Sequence, residues 1–337
     1  EGWRLDLQAT LGELNVVSVE GEDGCKTLYL CKDPTTKRVL MSIAVYVDDL
    51  FITSRDPDLA RKLRDLLRDQ YGVPEFVYQC GHAQPGEDDC IPGQQKFHDI
   101  AEGGDRLVGM DMLIEQRDDE ARVYISQKEY LKNCVAKYES LLQKKLPSRR
   151  CLPGLVRDLT SDSDDEPTKD PAASLPHVPT LIGSAMYAAT GARPDLLRPV
   201  LYLSRRAGVE KWRAEEALQL KRLFQYIKNT PDTVQCLTFF PGDKLECWVF
   251  PDADYAGNPD KRSASGWVIY LVGVTSGSQI LLAARSTLHT MVGLSTAEAE
   301  VTAVRDALVH AFGIMPLLEA MLGPITLRIW TDSSAAL

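Results

Sequence analysis

The sequence predicts an α/β protein: an α+β first part, a helical middle, then a mixed sheet interrupted by one long helix. Three observations carry this. Two apolar, strand-like runs, Val39 to Tyr46 and Leu50 to Thr53, flank a turn that holds Asp48 and Asp49. Apolar residues recur at helical spacing between Gln127 and Lys228. Beyond Leu245 the pattern is three strands, a helix, a strand and the start of a helix.

The elements follow in order. Trp3, Leu7, Leu11 and Leu14 predict an amphipathic opening helix. Leu28 to Leu30 is a short strand, and the two runs around Asp48 and Asp49 form a hairpin. Asp56 suits an N-cap and Pro57 the first helical position. Leu59, Leu63, Leu66 and Leu67 line one face of that helix, and Gly72 and Pro74 end it. Gln79 to Asp105, rich in Gly, Pro and Asp, predicts a long loop or insertion. Cys80, His82, Cys90 and His98 lie within it, at a spacing that matches no compact zinc pattern. A metal site and an irregular surface insertion are the two readings of that stretch.

Val123 to Ser126 predicts a strand. Gln127 to Leu142 predicts a helix with Tyr130, Leu131, Cys134, Val135 and Tyr138 on its apolar side. Ser161 to Pro171 is acidic, polar and bounded by prolines, which predicts a linker. Ile182 to Ala189, Leu196 to Ser204 and Arg213 to Lys228 are helical, the last with Ala217, Leu220, Phe224 and Ile227 inward. Leu245 to Phe250, Gly266 to Gly273 and Gln279 to Ala284 are strands. Ser295-Thr-Ala-Glu298 has the pattern of a capping box. It opens a long helix with Val301, Val304, Leu308 and Phe312 on one stripe. Ile325, Leu327 and Ile329 alternate in a fourth strand that ends at Asp332.

At 337 residues the chain has room for two or three domains, expected at 1–158, 159–240 and 241–337. Apolar content of 44% and charged content of 26% are those of a globular protein. No run of eighteen apolar residues predicts a membrane span, and no basic start leads into an apolar run. The expected location is therefore intracellular, in a cytoplasmic particle or the nucleus, rather than secreted. Both ends, Glu1 and Leu337, read as cuts in a longer chain. The eight cysteines are expected as free thiols.

A net charge of −10 argues against a protein that coats nucleic acid by charge alone. Residues 193–228 nevertheless hold nine Lys/Arg against four acids. Arg193, Arg205, Arg206, Lys211, Arg213, Lys221 and Arg222 are the candidate phosphate contacts.

Two acidic constellations carry the chemistry. One is Asp48 and Asp49; the other gathers Asp252-Ala-Asp254, Glu298-Ala-Glu300 and Asp332. Grouped carboxylates repel one another and are costly to desolvate unless a cation neutralises them. If strands 245–250 and 325–330 lie parallel and adjacent, Asp252 and Asp332 fall at neighbouring strand ends, and Glu300 reaches them from the first turn of the helix. Three hard oxygens from three elements suit Mg²⁺ or Mn²⁺. Two such ions, about 3.5–4 Å apart, activate a water and stabilise the leaving oxygen of a phosphodiester. The plain alternative is that the aspartates are strand-end turn residues and the glutamates are solvated acids that favour the helix dipole. For the first site the alternative is a hairpin turn with two solvated aspartates. A polymerase site needs a further carboxylate there, and Asp6 is the only candidate nearby, on the solvent side of the opening helix.

At these residues the chain resembles the Pol polyprotein of copia-type long-terminal-repeat retrotransposons. Tyr46-Val-Asp-Asp-Leu50 resembles the reverse-transcriptase palm motif, and Ser126-Gln-Lys-Glu-Tyr130-Leu the approach to the thumb. Ile182-Gly-Ser-Ala-Met-Tyr-Ala-Ala-Thr-Gly-Ala-Arg-Pro-Asp195 is similar to the connecting region. Asp252-Ala-Asp-Tyr-Ala-Gly257, with Lys261-Arg-Ser-Ala-Ser-Gly-Trp267, resembles the start of the RNase H domain. Leu294-Ser-Thr-Ala-Glu-Ala-Glu300 and Thr331-Asp-Ser333 resemble its later catalytic stations.

The resemblance implies a partial palm and thumb, a helical connection and an RNase H-like domain, truncated at both ends. It implies two Mg²⁺ or Mn²⁺ ions per site. Asp252, Glu300 and Asp332 would hydrolyse the RNA of an RNA–DNA hybrid, and Asp48 and Asp49 would be two of three palm carboxylates. RNA template and DNA primer are the implied partners of the palm. Glu300 is preferred over Glu298 because Glu300-Val-Thr-Ala303 fits the family's helix better. The family's first palm Asp and fourth nuclease carboxylate lie outside the sequence, so polymerisation by this fragment is not expected. Tyr255 stands where the family usually has Trp. The competing expectations are an inactive relic or co-opted nucleic-acid-binding module, and a stand-alone RNase H-like nuclease or integrase acting on DNA.

Overall fold

A computed structural model describes residues 2–19, 27–47, 49–72, 105–117, 119–149, 152–153, 177–206, 214–257 and 261–333. The 79–104 stretch with its Cys and His residues, the Ser161–Pro171 linker and Asp48 lie outside these. Helices and strands mix throughout, as expected of the α/β class. The chain divides into two compact units. One comprises residues 1–97, 115–118 and 308–326; the other comprises 98–114, 119–307 and 327–337.

The first unit holds α1 (Gly2–Gly12), β1 (Val17–Val19), β2 (Leu28–Lys32), β3 (Val39–Tyr46), β4 (Asp49–Ser54) and α2 (Pro57–Tyr71). The strands form a sheet in the order β1-β2-β3-β4, with antiparallel pairing throughout. Leu7 and Leu11 of α1 and Leu63 and Leu67 of α2 are buried in one core with Tyr29, Met41 and Ile43 of the sheet. Asp56 caps α2 by accepting hydrogen bonds from the Asp58 and Leu59 N–H groups at 2.9 and 3.2 Å. Gly72 ends α2 in the left-handed conformation, at φ 63°.

The second unit begins with β5 (Asp105–Leu107), β6 (Met110–Gln116) and β7 (Ala121–Ser126), which join β8 (Gln235–Phe239) in the order β5-β6-β7-β8. Of these only β7 stands out in the sequence. The helices are α3 (Lys128–Leu142), α4 (Val178–Thr190), α5 (Leu197–Ser204) and α6 (Ala214–Asn229). Their apolar faces close on one another, with the Tyr138 and Phe224 rings stacked at 4.5 Å. Each such side chain stabilises by about 1.5–3 kcal/mol through burial. The inward face expected of α6, Ala217, Leu220, Phe224 and Ile227, is the buried one. The four described cysteines, at 31, 134, 236 and 247, are free thiols.

The last sheet has the order β11-β10-β9-β12, built from β9 (Leu245–Asp254), β10 (Ala264–Gly273), β11 (Gln279–Leu288) and β12 (Thr326–Ile329). The first three strands are antiparallel neighbours, and Asp252 pairs with Gly266. Between β11 and β12 runs α7 (Thr296–Leu322). Its buried face differs from the expected stripe. Val301 and Phe312 are exposed, whereas Ala299, Ala303, Ala307 and Ala311 are buried. Residues four apart share a helix face, so a ladder of alanines lies inward and allows close approach of whatever packs on it. At 27 residues, α7 is long and apolar enough to cross a membrane by length and composition alone, although charged residues break it and it holds no run of eighteen apolar residues.

Replacing Ala303 with Leu overfills a fully buried position. The expected destabilisation is about 1–3 kcal/mol in chemical denaturation. Val301→Leu, on the exposed face, is expected to be neutral within about 0.5 kcal/mol.

Candidate metal centre

Three short-range facts build the centre. Hydrogen-bond and ion-pair partners climb together along β9 and β12. Arg328 donates to Glu246, with Nη2 at 3.0 Å from Oε1, and the Trp330 N–H donates to the Val249 carbonyl at 2.9 Å. The two strands therefore run parallel, as the sequence pattern required, and Asp252 and Asp332 emerge at neighbouring ends. The Thr331 hydroxyl accepts a hydrogen bond from the Ser333 N–H at 3.1 Å and shapes the bend that presents Asp332.

Helix α7 supplies the third carboxylate. The Ser295 hydroxyl accepts from the Glu298 N–H at 3.2 Å, and the Glu298 carboxylate accepts from the Leu294 N–H at 2.6 Å. This is the expected reciprocal cap, with the glutamate reaching one residue further back. Glu298 is thereby committed to the helix end. Glu300, two residues on, joins Asp252 and Asp332, with one carboxylate oxygen from each all within 4.8 Å of one another. Asp254 is engaged elsewhere, in an ion pair with Arg198 at 2.6 Å.

The electrostatics are those of an uncompensated cluster. Burial, and then the Asp252 and Asp332 charges, hold the Glu300 carboxyl above the ordinary carboxylate range. Its Oε2 is buried without a hydrogen-bond partner. An orphaned buried oxygen beside two further hard oxygens fits a divalent cation such as Mg²⁺ or Mn²⁺. Nothing in the donor set favours a softer metal, since it contains no His or Cys.

The other acidic pair sits on the β3–β4 hairpin. Tyr46 of β3 pairs with Asp49 of β4. Asp49 is exposed at the start of β4, and Asp48 lies outside the described residues. Val47 has φ 55°, a left-handed conformation that strains a β-branched residue by about 1–3 kcal/mol. Such tight turns ordinarily use Gly or Asn there. Among the described residues Asp49 belongs to no group of three metal-ligand side chains, and Asp6 is exposed on α1.

No family model matches the chain. Individual relatives do. The Retrovirus-related Pol polyprotein from transposon TNT 1-94 of Nicotiana tabacum is 26% identical over 270 residues, 78% of this chain and 17% of that protein. The Retrovirus-related Pol polyprotein from transposon RE1 of Arabidopsis thaliana is 24% identical over 234 residues, 69% of this chain and 13% of that protein. Its relatives are Pol polyproteins of copia-type transposons. A shorter one, a transposon Ty5-1 protein of Saccharomyces cerevisiae, is 22% identical over 272 residues, 80% of this chain and 73% of its own length. The chain thus spans about a sixth or less of the plant Pol polyproteins it resembles.

Among the basic residues expected from the sequence to contact phosphates, the fold separates several roles. Arg193 is a correction: it is fully buried. It donates to both Asp195 oxygens at 2.9 and 2.7 Å, and to the Thr230 carbonyl and hydroxyl at 3.0 and 2.9 Å. Tyr226 donates to the same Asp195 carboxylate at 2.9 Å. A guanidinium so held ties α4, α5 and α6 together and presents nothing to solvent. Arg206 pairs with Glu216 at 2.7 Å. Lys221 is exposed, Arg205 and Arg222 are half-buried, and Lys211 and Arg213 lie outside the described residues.

Removing Arg193 is therefore expected to act on stability. Arg193→Met should destabilise by about 3 kcal/mol, read by chemical denaturation, because it strands partners arranged around a buried charge.

Glu300 makes a second expectation. A carboxyl raised in the folded state contributes stability at acid pH, and that stability is lost as pH rises through the raised value. In chelator, Glu300→Gln should raise the melting temperature at pH 7 and above, and the gain should vanish below about pH 4, where carboxylates are protonated in both states. Adding Mg²⁺ or Mn²⁺ at a hundred times its Kd should stabilise the parent by about 2.7 kcal/mol, and the Gln variant by much less.

Proposed function

We propose that this chain is a piece of a retrotransposon reverse transcriptase in which residues 241–337 form an RNase H-like nuclease. The observation that carries the reading is the convergence of Asp252, Glu300 and Asp332 from a strand end, a helix start and a parallel strand end. The reaction is hydrolysis of the RNA strand of an RNA–DNA hybrid. Residues 1–158 read as partial palm and thumb, and 159–240 as acidic linker and helical connection. Asp48 and Asp49 would serve the palm, with RNA template and DNA primer as its partners. The nuclease is the better-supported half, since it has a gathered donor set.

Each residue has a task in this reading. Asp252 and Asp332 hold the cations from the sheet. Glu300 holds them from the helix, with a free oxygen whose proton is easily kept at low pH and released on binding. Glu298 fixes the helix start and so the position of Glu300. Bound Mg²⁺ or Mn²⁺ would supply a nucleophilic hydroxide and stabilise the departing ribose oxygen. The setting is intracellular, where transcript and new DNA strand meet.

The test is cleavage of an end-labelled RNA annealed to DNA by the whole chain in Mg²⁺ or Mn²⁺. Asp252→Asn should lower the rate by at least about a hundredfold, since metal stabilisation of the transition state contributes several kcal/mol. Chelator should do the same. Cleavage that survives Asp252→Asn would sink the assignment. Uncut hybrid with cut duplex DNA would favour a DNA-directed nuclease. Salt-sensitive hybrid binding without any cleavage would favour a co-opted binding module.

A further inference from the structure

The last carboxylate of the centre follows a strand with little apolar support. Strand β12 is four residues long, and none of them is buried. Apolar burial therefore contributes little to holding it. A charged pair supplies the hold. The Glu246 carboxylate, on β9, accepts from the Arg328 guanidinium through both oxygens, with Nη2 at 3.0 Å from Oε1 and Nε on Oε2. The Trp248 indole N–H donates to Oε2 at 3.0 Å. The Lys244 ammonium stands at 3.5 Å, beyond ordinary hydrogen-bond length. Only 3% of the Glu246 side chain is exposed, against 50% of Arg328. A forked, two-point pair is strong and directional. A buried carboxylate is also costly to leave without its cation.

The pair selects a register. Side chains two apart share a strand face, so Glu246 and Asp252 lie on one face of β9, and Arg328 and Trp330 on one face of β12. A slip of one residue turns every side chain to the other face. A slip of two keeps the faces, so alternation alone does not forbid it. Such a slip carries Asp332 about 6.6 Å along the strand. That is further than the 4.8 Å within which the three carboxylate oxygens gather. It also sets Thr326 or Trp330 opposite Glu246 in place of Arg328, and neither brings a charge. The rung that satisfies Glu246 is thus the rung that brings Asp332 to Asp252.

We propose that Glu246 and Arg328 are positioning residues of the metal centre: their ion pair keys β12 to β9 in the register that delivers Asp332. The effect on cation binding rests on the metal-centre reading above; the register does not. Two measurements on the whole chain read them separately. Trp248 and Trp330 lie 5.1 Å apart with their rings tilted by 52°. Indoles so close and so tilted couple into a couplet in far-ultraviolet circular dichroism. Its loss in Trp330→Phe assigns it. In chelator, Arg328→Met should lose most of the couplet. Without chelator, its Kd for Mn²⁺ by isothermal titration calorimetry should rise about tenfold to a hundredfold, as when a group that orients a metal ligand is removed. Arg328→Lys, which keeps the charge but not the fork, should fall between. Phe224→Leu, in the helical core, controls for lost stability alone and should leave both readings unchanged. Arg328 is half exposed, so its variants are expected to fold, with cooperative denaturation as the check. Should Arg328→Met fail that check, Arg328→Lys carries the test by the same two readings.

An unchanged couplet in Arg328→Met, or in Arg328→Lys where that variant carries the test, overturns the proposal. So does a lost couplet with unchanged Mn²⁺ affinity, since other contacts would then place Asp332. Equal losses in Phe224→Leu reduce the effect to stability and overturn it too. A parent chain that binds no Mn²⁺ refutes the metal centre instead, and a couplet lost in Arg328→Met then still upholds the register.

Discussion

Mutual repulsion among Asp252, Glu300 and Asp332 is the constraint on which this part of the chain depends. Two unit charges 4.8 Å apart oppose each other by about 3–4 kcal/mol at an effective dielectric constant of 20. The fold holds three together with covalently continuous, hydrogen-bonded supports. Parallel β9 and β12 fix the two aspartates, and the Ser295–Glu298 cap fixes the helix that carries the glutamate. Burial first, and then this repulsion, raise the affinity of Glu300 for a proton, and a divalent cation would relieve both.

Much of this was legible in the sequence because it is local. Asp56 before Pro57 marks a cap, and Ser295 three residues before Glu298 marks another. Alternation at Ile325, Leu327 and Ile329 marks a strand. What was not legible is decided at long range. Strands β5, β6 and β8 owe their existence to distant partners: β8 lies beside β7 although more than a hundred residues separate them. On α7 the largest apolar residues suggested the wrong inward face. The buried positions there are alanines spaced four apart, small residues that a search for large apolar side chains passes over. Arg193 was grouped with surface cations because its charge is visible in sequence; Asp195 is a local acceptor two residues on, whereas Thr230 reaches it only after folding.

The two acidic stations differ in how they are held. The C-terminal one draws ligands from three elements, so its geometry depends on the packing of the whole sheet with its helix. At the hairpin one, Val47 sits in a conformation that L-residues avoid. Strain of that kind costs free energy and persists only where the surrounding structure imposes it.

Strand β12 has one further consequence. It is four residues long and forms an edge of its sheet among the described residues, with backbone groups open to another strand. Exposed edges invite foreign chains to add on, and short length and charged side chains discourage them. Arg328, clamped by Glu246, places a fixed cation in the middle of this edge. The strand that leads to Asp332 is thus also an edge of the kind that charge and short length keep from pairing with foreign chains.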